Sequence, residues 1–116
     1  MKQPIIKDTA DITFIPTSHG VGHKQILLSN DETRSAVTQI ALTAFGKGEE
    51  VEAHSHQTMD EHYIFRFGEG VMTVDGVDYP CHAGNYVMVP CGASHSLRAV
   101  SDMEFITIGV AYDKNL

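Results

Sequence analysis

The chain is short of what several classes of function need. Eight lysines and arginines stand against 15 aspartates and glutamates, a formal charge of −7 over 116 residues. A balance so poor in cations argues against nucleic acid or an anionic membrane surface as partner, although it does not exclude an anionic substrate held locally by a metal. No segment approaches the roughly 20 consecutive apolar residues of a membrane span. The opening stretch, Met1 to Asp8, lacks the apolar run of about 7–15 residues that a signal peptide requires, so the expectation is a cytoplasmic protein. Only two cysteines are present, Cys81 and Cys91. Two thiols without a secretion signal are expected to be reduced, and Cys91 reads as a buried, inert thiol. There is no internal repeat, no low-complexity tract, no linker and no long helical period.

What remains is an ordinary globular composition, 42% hydrophobic and 20% charged, of a size that makes one domain. A domain of this length buries roughly two-thirds of its unfolded surface and needs no disulfide to fold. The hydrophobic pattern is that of strands. Residues 36–45, His62 to Phe67, Val71 to Val74, Val77 to Tyr79, Tyr86 to Val89, His95 to Val100 and Met103 to Ala111 are predicted to be extended, with residues 12–15 and 25–28 as two earlier strands. Gly46-Lys47-Gly48 and Ser101-Asp102 read as turns and Gly68-Glu69-Gly70 as a tight reversal. Asp75-Gly76 is a two-residue hairpin signal, and Pro90 ends the strand before it. Many short strands near ten residues apart mean an all-β sandwich or barrel, and a double-sheet jelly roll fits the count. Residues 1–35 are expected to form an N-terminal arm with edge strands, and 36–113 the barrel.

Four residues carry the chemistry. His54 and His56, two apart, face the same way on an extended strand. Glu61 follows across a short polar loop, and His95 comes from a distant turn. Imidazoles and a carboxylate converging from separate segments are ligands for a divalent transition metal, leaving roughly two positions open on a six-coordinate ion. Open positions are what a substrate or an activated water needs.

The same residues sit in two spaced motifs. The first reads Gly48, His54, His56, Glu61, Gly68; the second reads Gly84, Pro90, Gly92, His95, with Ala99 at its last position. Four His or Glu matches at fixed spacing are expected by chance on the order of once in 100,000. The pattern resembles the two motifs of the cupin superfamily, with Ala99 where that family usually has Asn. The resemblance implies a double-stranded β-helix, the cupin jelly-roll barrel, and a divalent ion (Fe, Mn, Ni or Zn) on His54, His56, Glu61 and His95. It also implies a small-molecule ligand in the barrel. Cupins with three His and one Glu run dioxygenation, decarboxylation and isomerisation, so fold and ligands do not select the reaction. A metalloenzyme acting on a small oxygen-rich molecule, of dioxygenase or of sugar or keto-acid isomerase type, is the first expectation. A non-catalytic binding or sensing barrel is the alternative, and a closed structural zinc site is a third.

Around that set, Tyr63 and Phe65 share the face of Glu61 by alternation. Tyr63 needs a partner for its hydroxyl if buried, which makes it, with Glu61, the acid–base candidate. Met88 reads as core. His62 should face outward or meet another subunit, and His82 should be exposed. His19 and His23, flanking Gly20-Val21-Gly22, are expected on a solvated loop rather than over the barrel mouth. The strand from Met103 is apolar on both faces, so its outer side should be covered by a second copy in a homodimer, with the N-terminal arm crossing over.

Overall fold

A computed structural model describes residues 3–112; the expected barrel boundary at residue 113 lies just outside them. Two short 3-10 turns, Thr9–Asp11 and Asn30–Glu32, punctuate the N-terminal third. The strands are β1 (Ile15–Pro16), β2 (His23–Ser29), β3 (Val37–Phe45), β4 (Glu50–His54), β5 (Met59–Phe67), β6 (Glu69–Val74), β7 (Val77–His82), β8 (Tyr86–Val89), β9 (His95–Ala99) and β10 (Met103–Ala111). They form a six-stranded sheet in the order β1-β2-β3-β10-β5-β8 and a four-stranded sheet in the order β4-β9-β6-β7. Every pairing is antiparallel. This is the jelly roll that the strand pattern predicts.

Alternation fills the space between the sheets. Tyr63 and Phe65 of β5, Phe105 and Met103 of β10, Met72 of β6 and Leu97 of β9 are all buried in one cluster. Phe65, only 1% exposed, packs against Phe105 and Tyr63 with ring centroids 5.7 and 6.0 Å away. Among the described residues no helix is long and apolar enough to cross a membrane.

Asp75-Gly76 does turn the β6–β7 hairpin, with positive φ at both residues (47° and 81°), as a type I′ turn requires. Three expectations are corrected. Gly68-Glu69-Gly70 is not a reversal within one sheet: Gly68 alone separates β5 from β6, which belong to different sheets. At Gly68 φ is +80°, and a Cβ there would stand 2.0 Å from the Asp102 carbonyl oxygen. Two crossing segments touch at this corner, and only glycine fits. The early strand expected at 12–15 reduces to Ile15–Pro16, because the preceding residues form a 3-10 turn capped by the Asp8 side chain on Ala10 N–H. Met88 is 43% exposed rather than core. Val89 (2% exposed) and Val87 take the inward positions of β8, so period two turns Tyr86 and Met88 outward.

Candidate metal centre

His95 is the first residue of β9, where alternation buries His95, Leu97 and Ala99 together. The turn before it is held from three directions. Gly92 N–H donates to the His56 carbonyl at 2.8 Å, Cys91 N–H donates to Asp60 Oδ1 at 2.8 Å, and Ser94 N–H donates to Asp75 Oδ1 at 3.0 Å. Asp60 is thus a positioning residue that the sequence reading missed. Its neighbour Glu61 faces the opposite side of β5, and nothing in the spacing announces a partner 31 residues away.

His54 ends β4 directly opposite His95, with the two ring centroids 4.3 Å apart. Val51 of β4 is buried, and strict alternation from it would send His54 outward. A register shift between Val51 and His54, a β-bulge, turns the imidazole back toward the interior. His56 lies past the strand end, not on the extended strand that its spacing predicts. Its ring still comes within 5.2 Å of His54 and 5.4 Å of His95, centroid to centroid.

Glu61, on β5, completes the group. One ligand atom from each of His54, His56, Glu61 and His95 lies within 4.8 Å of the others. Two of the imidazoles have their Nδ1 occupied by backbone: His54 with the Glu52 carbonyl at 2.9 Å and His95 with the Ala93 carbonyl at 3.1 Å. Such bonds set the tautomer and leave Nε2 with a lone pair for an ion. His95 Nε2 sits 3.3 Å from Glu61 Oε1. His56 Nε2 lies 3.5 Å from the same oxygen, yet it is buried without a hydrogen-bond partner. A buried orphan nitrogen in this position fits a metal ligand.

The electrostatics follow from these contacts. Burial pushes the Glu61 carboxyl up, but hydrogen bonds from His95 and Tyr63 and the nearby imidazoles outweigh it, and its pKa falls below 4.5. Burial lowers the His54 pKa below 6.5, with the neighbouring imidazoles acting in the same sense against the Glu52 carbonyl. For His95 burial is again the largest influence and acts downward, but Glu61, the Ala93 carbonyl and Asp75 together raise the pKa above 6.5. Tyr63 is buried and its hydroxyl donates to Glu61 Oε1. Burial, and then the Glu61 charge and bond, raise the phenol well above 10.

The flanking histidines divide. His62 faces outward on β5, its Nδ1 2.6 Å from the Tyr86 hydroxyl, and His82 is exposed. His19 departs from the solvated-loop expectation: it keeps solvent exposure, but its ring centroid lies 4.3 Å from that of His54. The loop is closed on itself by Thr17 Oγ1, which donates to the Val21 carbonyl at 2.5 Å, and is tied to Glu49 by Gly22 N–H, which donates to its Oε2 at 3.2 Å. Cys81 is buried, Cys91 is half-buried, and both are free thiols.

Two antiparallel sheets enclosing three imidazoles and a carboxylate define a class, the small β-barrel with a metal-competent mouth. The chain belongs to the cupin family: the Cupin domain family model matches residues 41–109, more than half of it. The oxalate-binding protein of Thermotoga maritima is 31% identical over 84 residues, covering 71% of this chain and 69% of that protein. The quercetin 2,3-dioxygenase of Bacillus subtilis is 29% identical over 75 residues, 65% of this chain but only 22% of the larger enzyme. A crystal structure from T. maritima, titled as a predicted oxalate decarboxylase, superposes with a TM-score of 0.85 at 26% identity over 93% of this chain and 100% of the other.

Proposed function

We propose that this chain is a divalent-metal cupin acting on a small oxygen-rich organic molecule. The observation that carries the reading is the convergence of four ligand atoms within 4.8 Å, one of them the buried, unpartnered Nε2 of His56. His54, His56, Glu61 and His95 would hold the ion, and a bound divalent ion would supply Lewis-acid polarisation of a ligand oxygen. The remaining chemistry belongs to the chain. Backbone carbonyls at Glu52 and Ala93 orient two imidazoles. Tyr63, a phenol that stays protonated at neutral pH, holds Glu61 in place by donating to Oε1. His19 lines the same cavity as His56 and Glu61. Glu61 and Tyr63 remain the groups placed to hold or move a proton beside a bound substrate.

A second reading is binding without turnover. It is favoured by one observation: the relative with 31% identity is named for binding oxalate, not for transforming it. The exposed apolar outer face of the six-stranded sheet also supports a homodimer. The exposed Ile64, Tyr86 and Met88 stand beside Ile106 and Ile108 on the outside of the six-stranded sheet, an apolar stripe suited to a second copy.

Elemental analysis of protein purified without added metal, compared with its His95→Ala variant, tests the metal reading. About one divalent ion per chain is expected in the parent, and loss of that ion with an unchanged circular dichroism spectrum in the variant. A variant that keeps its full metal content sinks the assignment. Substrate-dependent oxygen uptake by iron-loaded protein separates dioxygenase from isomerase and from silent binding.

A further inference from the structure

The cavity lined by His56 and Glu61, two of the four converging groups, also contains a cation that the metal site does not use. Lys24 of β2 pairs with Thr43 of β3, and both side chains line the cavity. The Lys24 ammonium donates to Gln39 Oε1 at 3.1 Å. Among the described residues it makes no ion pair, and it is the sole lysine or arginine on the cavity wall. The Lys24 side chain is half-buried on the cavity wall with an amide oxygen but no carboxylate beside its ammonium, and a bound anion would supply that charge partner.

The register relates this cation to one of the candidate metal ligands, Glu61. Gln39 pairs with Gly109, and Gly109 pairs with Glu61. Gln39 and Glu61 therefore stand in one row, with backbones two strand spacings, or about 10 Å, apart. The Lys24 ammonium, bonded to Gln39, is delivered to that row. The cavity measures about 190 Å³ and is partly open to solvent, enough for a ligand of a few heavy atoms.

Resting on the metal reading above, we propose that Lys24 is a ligand-anchoring residue and that the cavity takes a small dicarboxylate. One carboxylate is held by the Lys24 ammonium, with the Gln39 amide nitrogen as a second donor. The other is turned toward His56 and Glu61, the members of the converging group that line the cavity. A divalent ion, the Glu61 carboxylate and Lys24 leave two net positive charges when the imidazoles are neutral, and a dicarboxylate neutralises them. Lys24 lies outside both ligand motifs, on the strand before the matched segment that begins at residue 41.

The test uses full-length, metal-loaded protein, with metal content measured on every sample. Calorimetry would follow oxalate, malonate and the neutral isostere oxamide against wild type, Lys24→Met and Lys24→Arg. Wild type should bind a dianion. Lys24→Met should keep its metal and its thermal unfolding midpoint, lose about 10–100-fold in dianion affinity, and bind oxamide as before. Lys24→Arg should recover part of the loss. Unchanged dianion affinity in Lys24→Met, or equal weakening of oxalate and oxamide, overturns the Lys24 assignment alone, as does a metal-loaded wild type that binds neither dianion. Wild-type protein that takes up no divalent metal overturns the underlying metal centre instead.

Discussion

The four converging side chains differ in how readily each gives up a proton to a cation, and this governs pH dependence. His54 has a pKa below 6.5 and is neutral at neutral pH. His95 has a pKa above 6.5 and keeps its proton longer, so a metal ion must displace it. Affinity should therefore rise with pH through the His95 pKa and level off above it, with proton release on binding. Calorimetric titration with Zn(II) in buffers of different ionisation enthalpy, from about pH 4.5 to about pH 8, reads both quantities. An affinity flat down to pH 4.5 would contradict three histidine ligands. At this scale His54, His56, Glu61 and His95 were legible because their spacing is fixed by two short local stretches. His19, Lys24 and Asp60 were not. His19 reaches His54 from 35 residues away, and that meeting depends on the path of a loop, which residue spacing does not encode.

Element placement turns on corners and bulges. The strand pattern of β3, β5, β9 and β10 could be read from alternation, and the β6–β7 hairpin from Asp75-Gly76, whereas β8 was legible as a strand but not which of its faces turns inward. The bulge in β4 that re-aims His54 could not, because an extra residue in one strand has no composition signal of its own. Nor could the corner at Gly68: a glycine that turns a hairpin and one that lets a chain change sheets look alike in one dimension. Gly68→Ala tests the corner. Positive φ on a residue with a Cβ costs about 1–3 kcal/mol, and here the Cβ also meets the Asp102 oxygen at 2.0 Å, so the loss should reach the top of that range or exceed it. Urea unfolding of the two proteins measures it; equal midpoints would mean the corner is not as described.

At the scale of the molecule, the outer face of the six-stranded sheet is what remains to be covered. Ile106 and Ile108 of β10 are flanked by Ile64 and His62 of β5, and these by Tyr86 and Met88 of β8. Ile64, Met88 and Tyr86 are 38%, 43% and 60% exposed. On the β2 side the N-terminal turn already covers the sheet, with Gln25 Nε2 donating to the Thr9 and Ile12 carbonyls at 2.7 and 2.8 Å. A dimer of ordinary stability buries roughly 1,200–2,000 Å² in total. Sedimentation equilibrium should give twice the chain mass for the parent and the chain mass for Met88→Glu, since a carboxylate in the stripe is desolvated without a partner. A parent that is monomeric at micromolar concentration removes the dimer.

Sequence alone determined the fold class, the four residues that converge and the two motifs that join them, because period-two alternation and short spacings are local properties of an extended chain. Only the tertiary structure decided what surrounds those ligands. Burial, the β4 bulge and backbone carbonyls set the tautomer and basicity of each imidazole. The strand order set which distant side chains, Lys24 among them, share the cavity. Both depend on contacts between residues tens of positions apart, and such contacts exist only once the two sheets have closed on each other.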